Sequence, residues 1–264
     1  MKDFFGKRKE KLFDLHELDL DRLMLYVLPR FLLEIIRKYL RLEIEGMDNV
    51  PDKGRAIILP NHSGWSGFDV VMVGNEIHKA KNRIPRILAH RAWFLGDIKM
   101  ISHKMGLQEA STENGLKLLK KNNIVVLFPE GEKGNFKPTS ERYHLKEFRR
   151  GFVRMALLTG SPIIPTIVIG AEETHINLAT LKFTRYLKGQ IIPLPLNILP
   201  LPAKWKIKFL DPVHLTEYSA KDAENSDLVH KIAFEIQEKM QSAINEELKK
   251  RKWIYFGPPM ESNP

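Results

Sequence analysis

Four short apolar runs recur along the chain with helix-length stretches between them. They lie at residues 55–60, 84–90, 124–128 and 162–169, and a fifth follows at 205–210. Each is of strand length. Val70-Val71-Met72-Val73 opens a buried helix after the first run. Ser111 stands where it would cap a helix through Leu116 and Leu119, which Asn122-Asn123 would stop. Phe148 to Thr159 reads as a further helix, ended by Gly160. Alternation of strand and helix predicts an α/β fold: a layered, largely parallel central sheet flanked by helices.

The 264 residues suffice for one large domain with terminal additions. We divide them into an N-terminal amphipathic helical segment, residues 1–44, and a main domain, residues 45–264. Residues 12–41 read as two helical pieces, the second carrying Pro29 in its first turn. Leu28, Phe31, Leu32, Ile35, Ile36 and Tyr39 recur there at helical spacing, opposite charged residues. The window Leu23 to Leu40 is the most apolar of its length, yet it contains Pro29, Arg30, Glu34, Arg37 and Lys38. A spanning helix needs ~20 predominantly apolar residues. The segment therefore either docks on the domain or lies in a membrane interface as a basic amphipathic helix. Residues 42–51 read as a connector leading to the turn at Asn49 to Gly54. Residues 190–202 are apolar but proline-rich, which prevents a regular helix. Such a loop must be buried, line a ligand tunnel or touch lipid. Ser226 to Lys252 is an amphipathic helix with one stripe from Val229 to Leu248 and a basic C-terminal end.

Composition narrows the chemistry. With no cysteine, disulfides, thiolate metal sites and a Cys nucleophile are excluded. A formal net charge of +10 suits an anionic partner. No nucleic-acid partner is expected, because basic residues are not interleaved with aromatic ones in a binding motif. No cationic, apolar, small-residue secretory signal opens the sequence.

The first chemical constellation is Pro60-Asn61-His62-Ser63-Gly64-Trp65-Ser66-Gly67-Phe68-Asp69, just after the first strand. On a straight helix His62 and Asp69 would be about 10 Å apart along the axis, at ~1.5 Å per residue. They can pair only if the segment bends, which Gly64 and Gly67 permit. Asp69 would then fix the imidazole tautomer, and His62 would accept a proton from a hydroxyl. The alternative is a turn-capping His and a helix-capping Asp. A nucleophilic Ser63 or Ser66 fits poorly, since Gly64-Trp65-Ser66-Gly67-Phe68 has Phe68 where a nucleophile elbow needs Gly. His62, His78, His90 and His103 lack zinc-site spacing, so no metal site is expected.

The second constellation is Phe128-Pro129-Glu130-Gly131-Glu132-Lys133-Gly134, at the end of another strand, where open α/β sheets bind ligands. Lys133, Lys137, Arg142, Lys146, Arg149, Arg150 and Arg154 follow. This run reads as a holder of a phosphate or pantetheine-nucleotide group, or as a solvated face. It lacks P-loop spacing.

Asn61-His62 with Asp69, then Phe128 to Gly131, then Ile164-Pro165-Thr166-Ile167-Val168 occur in the order of three sequence blocks. In this the chain resembles the glycerol-3-phosphate/lysophospholipid acyltransferase family over roughly residues 45–215. It is most similar to a bacterial subgroup resembling the mono-/diacylglycerol acyltransferase-like branch. The resemblance implies O-acyl transfer in phospholipid biosynthesis, from acyl-CoA or acyl-carrier protein to a glycerolipid or lysophospholipid hydroxyl, with no acyl-enzyme and no cofactor beyond the co-substrate. It implies His62 as general base, Asp69 as its orienting carboxylate, and acceptor binding by Phe128, Pro129, Glu130, Gly131 and Lys133. Its partners would be an acyl thioester, a lipid acceptor and an anionic membrane surface, with the protein peripheral or monotopic on the cytoplasmic face. Two departures stand out. Six residues separate His62 from Asp69, where the family usually has four. Met105 to Ala110 also lacks the Arg of the family's Gly-x-x-Phe-x-x-Arg block, a role Arg91 is placed to assume. A non-catalytic lipid-binding protein on the same fold, and a serine-dependent lipid hydrolase, are the rival readings.

Overall fold

The structure, a computed structural model, describes residues 28–94, 102, 106–182 and 191–256. The first expected helical piece upstream of Leu28 and His103 lie outside the described residues. The chain divides into two units between Tyr39 and Leu40.

In the first unit, α1 (Leu28–Tyr39) carries Arg37 and Lys38 in its last turn. Its apolar stripe, Leu28, Phe31, Leu32, Ile35 and Tyr39, is exposed.

The second unit is built on nine strands and six helices among the described residues. In chain order they are β1 (Glu43–Glu45), β2 (Ala56–Pro60), α2 (Phe68–Lys81), β3 (Arg86–Ala89), β4 (Leu107–Glu109), α3 (Thr112–Lys120), β5 (Ile124–Val126), α4 (Glu132–Asn135), α5 (Gly151–Thr159), β6 (Ile163–Ile169), α6 (Ala171–Thr174), β7 (Asn177–Lys182), β8 (Ile191–Pro195), β9 (Lys206–Phe209) and α7 (Ser226–Lys250). Seven strands form one sheet in the order β1-β9-β6-β2-β5-β3-β4. From β6 to β4 all neighbours are parallel, while β9 pairs antiparallel with β6 and parallel with β1. The expected largely parallel α/β sheet is the observed one. All five expected strands and the helices between the first four are present.

The central strands are apolar throughout because both their faces are covered. Every residue of β2 and of β6 is buried. On one face Ile57, Leu59, Val125, Ile163 and Ile167 join Leu119 of α3, Phe152 and Val153 of α5, and Val229, Ile232, Ile236, Met240 and Ile244 of α7 in a single core. Each such aliphatic contributes about 1.5–3 kcal/mol on burial, against about 0.3–1 kcal/mol for a cation at a helix C-terminus. The stripe, not the basic end, therefore docks α7. On the other face α2 buries Met72, Val73 and Ile77, with Gly74 set against Ile87 of β3. Ser111 caps α3 as expected, its hydroxyl accepting from the Asn114 N–H at 3.0 Å.

Two stretches differ from expectation. Residues 42–51 are not only a connector, since β1 pairs with β9. Its Glu-Ile-Glu sequence reads as exposed, but Glu45 and Glu247 share Lys206 and Lys208 at 2.6–3.1 Å. Burial alone would raise the Glu247 carboxyl; the two lysines outweigh it and bring it down to about 2. Residues 190–202 are not an irregular buried loop. Their first part is β8, paired antiparallel with β7 in a separate two-stranded ribbon. Pro193 and Pro195 are tolerated because each strand of a ribbon has one edge free of ladder bonds. Leu194, Leu196, Ile198 and Leu199 are exposed, so the burial reading falls.

β2 and β5 are adjacent, yet the chain leaves β2 toward β3 on one side and leaves β5 toward β6 on the other. The carboxyl ends of β2 and β5 thus meet at a topological switch point, where open α/β sheets bind ligands.

Candidate active site

Asn61 fixes where the chain leaves β2. Fully buried, it donates from Nδ2 to the Val168 carbonyl at 3.1 Å and accepts at Oδ1 from the Val168 N–H at 2.6 Å. Its side chain thus extends the pairing with β6 one step past the strand. The backbone then bends at Gly64 and Gly67, with φ of +69° and +74°. Ser66 and Gly67 donate to the Gly64 carbonyl, and α2 starts at once with Asp69 in its first turn. A Cβ on Gly64 would also lie 2.8 Å from the Ala171 carbonyl oxygen, so both the turn and its packing require glycine.

The bend brings His62 Nδ1 to 2.7 Å from Asp69 Oδ2. The same oxygen accepts from the Ser63 N–H at 2.9 Å, and Oδ1 accepts from the Val70 N–H at 2.8 Å. A carboxylate surrounded by donors has no proton to give, so the imidazole proton sits on Nδ1 and the lone pair on Nε2. The His62 side chain keeps 14% of its exposure and Asp69 none, so the imidazole is open to solvent and the carboxylate is not.

Phe128 and Glu130 complete the surroundings. The Phe128 ring lies 4.4 Å from the imidazole centroid, tilted by 36°. Glu130 is buried; its Oε1 accepts from the His62 N–H at 2.9 Å and its Oε2 from the Lys146 N–H at 2.8 Å. This carboxylate ties the end of β2 to the turn after β5. Gly134 makes room for it, since a Cβ there would lie 2.4 Å from Glu130 Cβ. Behind it, Lys137 Nζ sits 2.6 Å from Glu172 Oε1 and 3.5 Å from Glu130 Oε2. Burial would lower the Lys137 pKa, but the two carboxylates outweigh it and raise it. Burial pushes the Glu172 carboxyl up to about 7. Lys137 is thus a buried structural cation, not part of a basic face open to ligand.

The remaining expected residues scatter around this centre. Pro129 is buried, its carbonyl accepting from the Arg149 N–H at 2.9 Å. Gly131, at φ +59°, lies under the Arg149 guanidinium. Lys133 is exposed and lines a cleft of about 310 Å³ with Glu130, Glu147, Phe148, Arg149, Arg150 and Arg154. Arg91 follows β3 in a single 3-10 turn, but its side chain lies outside what is described. The Ser63 hydroxyl is buried with no hydrogen-bond partner among the described residues. Ser66 donates to the Gly64 carbonyl at 2.9 Å and stands 3.4 Å from His175 Nδ1. Among the described residues no three His, Asp or Glu side chains group to hold a metal ion.

Sequence reasoning missed Glu172, Tyr143 and His175. Tyr143 donates its N–H to Glu172, and its hydroxyl accepts from the Gly170 N–H at 2.9 Å. His175 packs against Trp65 and Phe68 with centroids 5.2 and 5.9 Å away. The available signal was Glu172-Glu173 directly after the β6 run, an acidic pair with no solvated helix to carry it.

Comparisons with known proteins bear on the family and the fold. Residues 41–169 match a family model described as Acyltransferase. An uncharacterized protein of Mycobacterium leprae is 31% identical over 244 residues, covering 88% of this chain and 66% of that protein. The chain thus spans just under two thirds of the length of that relative. The 1-acyl-sn-glycerol-3-phosphate acyltransferase of Pseudomonas aeruginosa is 26% identical over 131 residues, 48% of each chain. The crystal structure of the 1-acyl-sn-glycerophosphate (LPA) acyltransferase, PlsC, from Thermotoga maritima superposes with a TM-score of 0.53 at 17% identity, covering 84% of this chain and 82% of that one. At that identity the likeness is one of fold.

Proposed function

We propose that this chain, whose residues 41–169 match an acyltransferase family model, moves a fatty acyl group from an acyl thioester to a hydroxyl of a glycerolipid or lysophospholipid. The donor is acyl-CoA or acyl-carrier protein. The observation that carries the reading is the 2.7 Å bond between His62 Nδ1 and a wholly buried Asp69. It leaves Nε2 as the basic atom of a partly exposed imidazole.

The step follows from that placement. Nε2 takes the proton of the acceptor hydroxyl as its oxygen attacks the thioester carbonyl. Asp69 stabilises the imidazolium that forms. The tetrahedral adduct collapses, the carbon–sulfur bond breaks, and the thiolate leaves with the proton His62 returns. An ester and a free thiol result, and both substrates are consumed without an acyl-enzyme. Phe128 holds the imidazole plane. Glu130 holds the His62 backbone, so its part in acceptor binding is to keep the base where the hydroxyl arrives.

A lipid acceptor places the work at a membrane surface, and we assign the chain to an anionic, cytoplasmic-facing one as a peripheral protein. No described helix is long and apolar enough to cross a membrane. Two apolar features favour contact from the surface: the stripe of α1, and Leu194, Leu196, Ile198 and Leu199 at and beyond β8.

The test is a covalent one. Parent protein incubated with radiolabelled acyl donor and no acceptor is expected to carry no label after denaturation, and to release labelled lipid once acceptor is added. Label retained on Ser63 or Ser66 would overturn the direct mechanism in favour of a serine intermediate.

A further inference from the structure

Lys137 and Glu172 are two buried charges that the transfer step leaves unused. Both side chains are almost wholly removed from water, and so is that of Glu130. A charge in that setting persists only where an opposite one faces it. Lys137 Nζ stands 2.6 Å from Glu172 Oε1 and 3.5 Å from Glu130 Oε2, and it donates to the His144 carbonyl at 3.3 Å. One ammonium therefore lies between two carboxylates, one from the turn after β5 and one from α6.

Lys137 is held at this point from outside the cluster. The Asn177 amide, at the start of β7, donates to the Phe136 carbonyl at 2.8 Å and to the Lys137 carbonyl at 3.0 Å. Glu172 is held too: it accepts the Tyr143 N–H, while Gln241 of α7 donates to the Tyr143 carbonyl at 2.8 Å. Glu130 meets an N–H at each oxygen, that of His62 at Oε1 and that of Lys146 at Oε2. An ionised carboxyl accepts at both without conflict, whereas a proton on either oxygen would compete with a donor. Lys137 supplies the counter-charge for that ionised form. α6 also backs the turn after β2, since its Ala171 carbonyl lies where a Cβ on Gly64 would reach. The ammonium thus fastens together two supports of the segment that carries His62.

We propose that Lys137 is a positioning residue for His62: it fastens the turn after β5 to α6 and, through the Glu130 carboxylate, sets where the His62 backbone stands. Buried, it acts through Glu130 and not on substrate. What the placed imidazole does is taken from the acyl-transfer reading; the placement is not.

Lys137→Met alone would leave two buried carboxylates without a cation, so the test variant is Lys137→Met/Glu172→Gln, which keeps an acceptor for the Tyr143 N–H. Amide hydrogen exchange in parent and variant reads the placement without turnover. The His62 and Lys146 N–H groups are expected to exchange about tenfold faster or more, as a weakened bond to a charged acceptor implies. The Ile57 and Leu127 N–H groups, bonded to the Pro162 and Ile58 carbonyls, are expected to keep their rates. A rise shared by all four would be a loss of stability alone and, like no rise at all, would overturn the proposal. In transfer assays kcat is expected to fall about tenfold or more, with KM for both substrates unchanged. Adding the two substitutions to Glu130→Gln is expected to lower kcat no further, since the effect passes through that carboxylate. An unchanged kcat, a change confined to KM, or effects that simply multiply would contradict the placement. A parent that transfers no acyl group, with the exchange difference intact, would overturn the acyl-transfer reading and leave the placement standing.

Discussion

At the scale of single residues, two buried carboxylates hold the segment that carries His62. Asp69 faces three donors, one of them the His62 ring, and Glu130 accepts from two backbone N–H groups, one of them that of His62. His62→Ala is expected to lose ~10²–10⁴ in transfer rate with its fold intact, measured as kcat beside circular dichroism. Glu130→Gln turns one acceptor oxygen into a donor facing an N–H, and is expected to cost about 1–3 kcal/mol in urea unfolding. Glu172 supplies a pH dependence. Its folded carboxyl sits near 7 against an ordinary value of 4.5, so between those limits the folded state binds more protons than the unfolded one. Its contribution is therefore present at low pH and is lost as pH rises toward 7. The melting midpoint is expected to fall between pH 5 and pH 7.5 more in the parent than in Glu172→Gln; parallel profiles would contradict this. The His–Asp pairing was an open alternative in the sequence, because spacing alone gives a distance only once a backbone is assumed. Glu172 and Lys137 were not legible as partners, since 35 positions of chain separate them and only the fold closes the gap.

At the scale of elements, the strands buried on both faces could be read directly, because continuous apolar runs have no other stable home. β1 and β8 could not. β1 hides behind Glu-Ile-Glu, yet its Glu45 pairs with Lys206 and Lys208 of β9, which also hold Glu247 of α7, far away in sequence. β8 hides behind its prolines, which rule out a helix but not a ribbon edge. The turn between β2 and α2 is the element that brings His62 to Asp69. Gly64→Ala adds a side chain at φ +69° against the Ala171 carbonyl. A left-handed non-glycine residue costs about 1–3 kcal/mol before any clash is counted. Both stability and transfer are expected to fall, and a variant that melts like the parent would show that the turn is not under this constraint.

At the scale of the molecule, the proposed lipid acceptor requires that the switch-point site be brought to a membrane surface. Removing residues 1–39, which leaves the buried Leu40 and the Arg41 bonds to Pro202, Ile254 and Tyr255 in place, is expected to weaken flotation with anionic vesicles. Substituting Leu196, Ile198 and Leu199 by serine separates the contribution of the segment after β8; unchanged flotation in both would remove the surface assignment. The central claim is that His62, set by Asp69, activates an acceptor hydroxyl against a thioester. It is tested most directly by thiol release from palmitoyl-CoA with purified protein, offered lysophospholipids, monoacylglycerol and diacylglycerol, with His62→Ala alongside, and then with acyl-carrier protein as donor. Acceptor-dependent release that disappears in a folded His62→Ala is the predicted result. Equal release by parent and variant, or none from any acceptor with either donor, would contradict it and leave a lipid-binding protein on an acyltransferase fold.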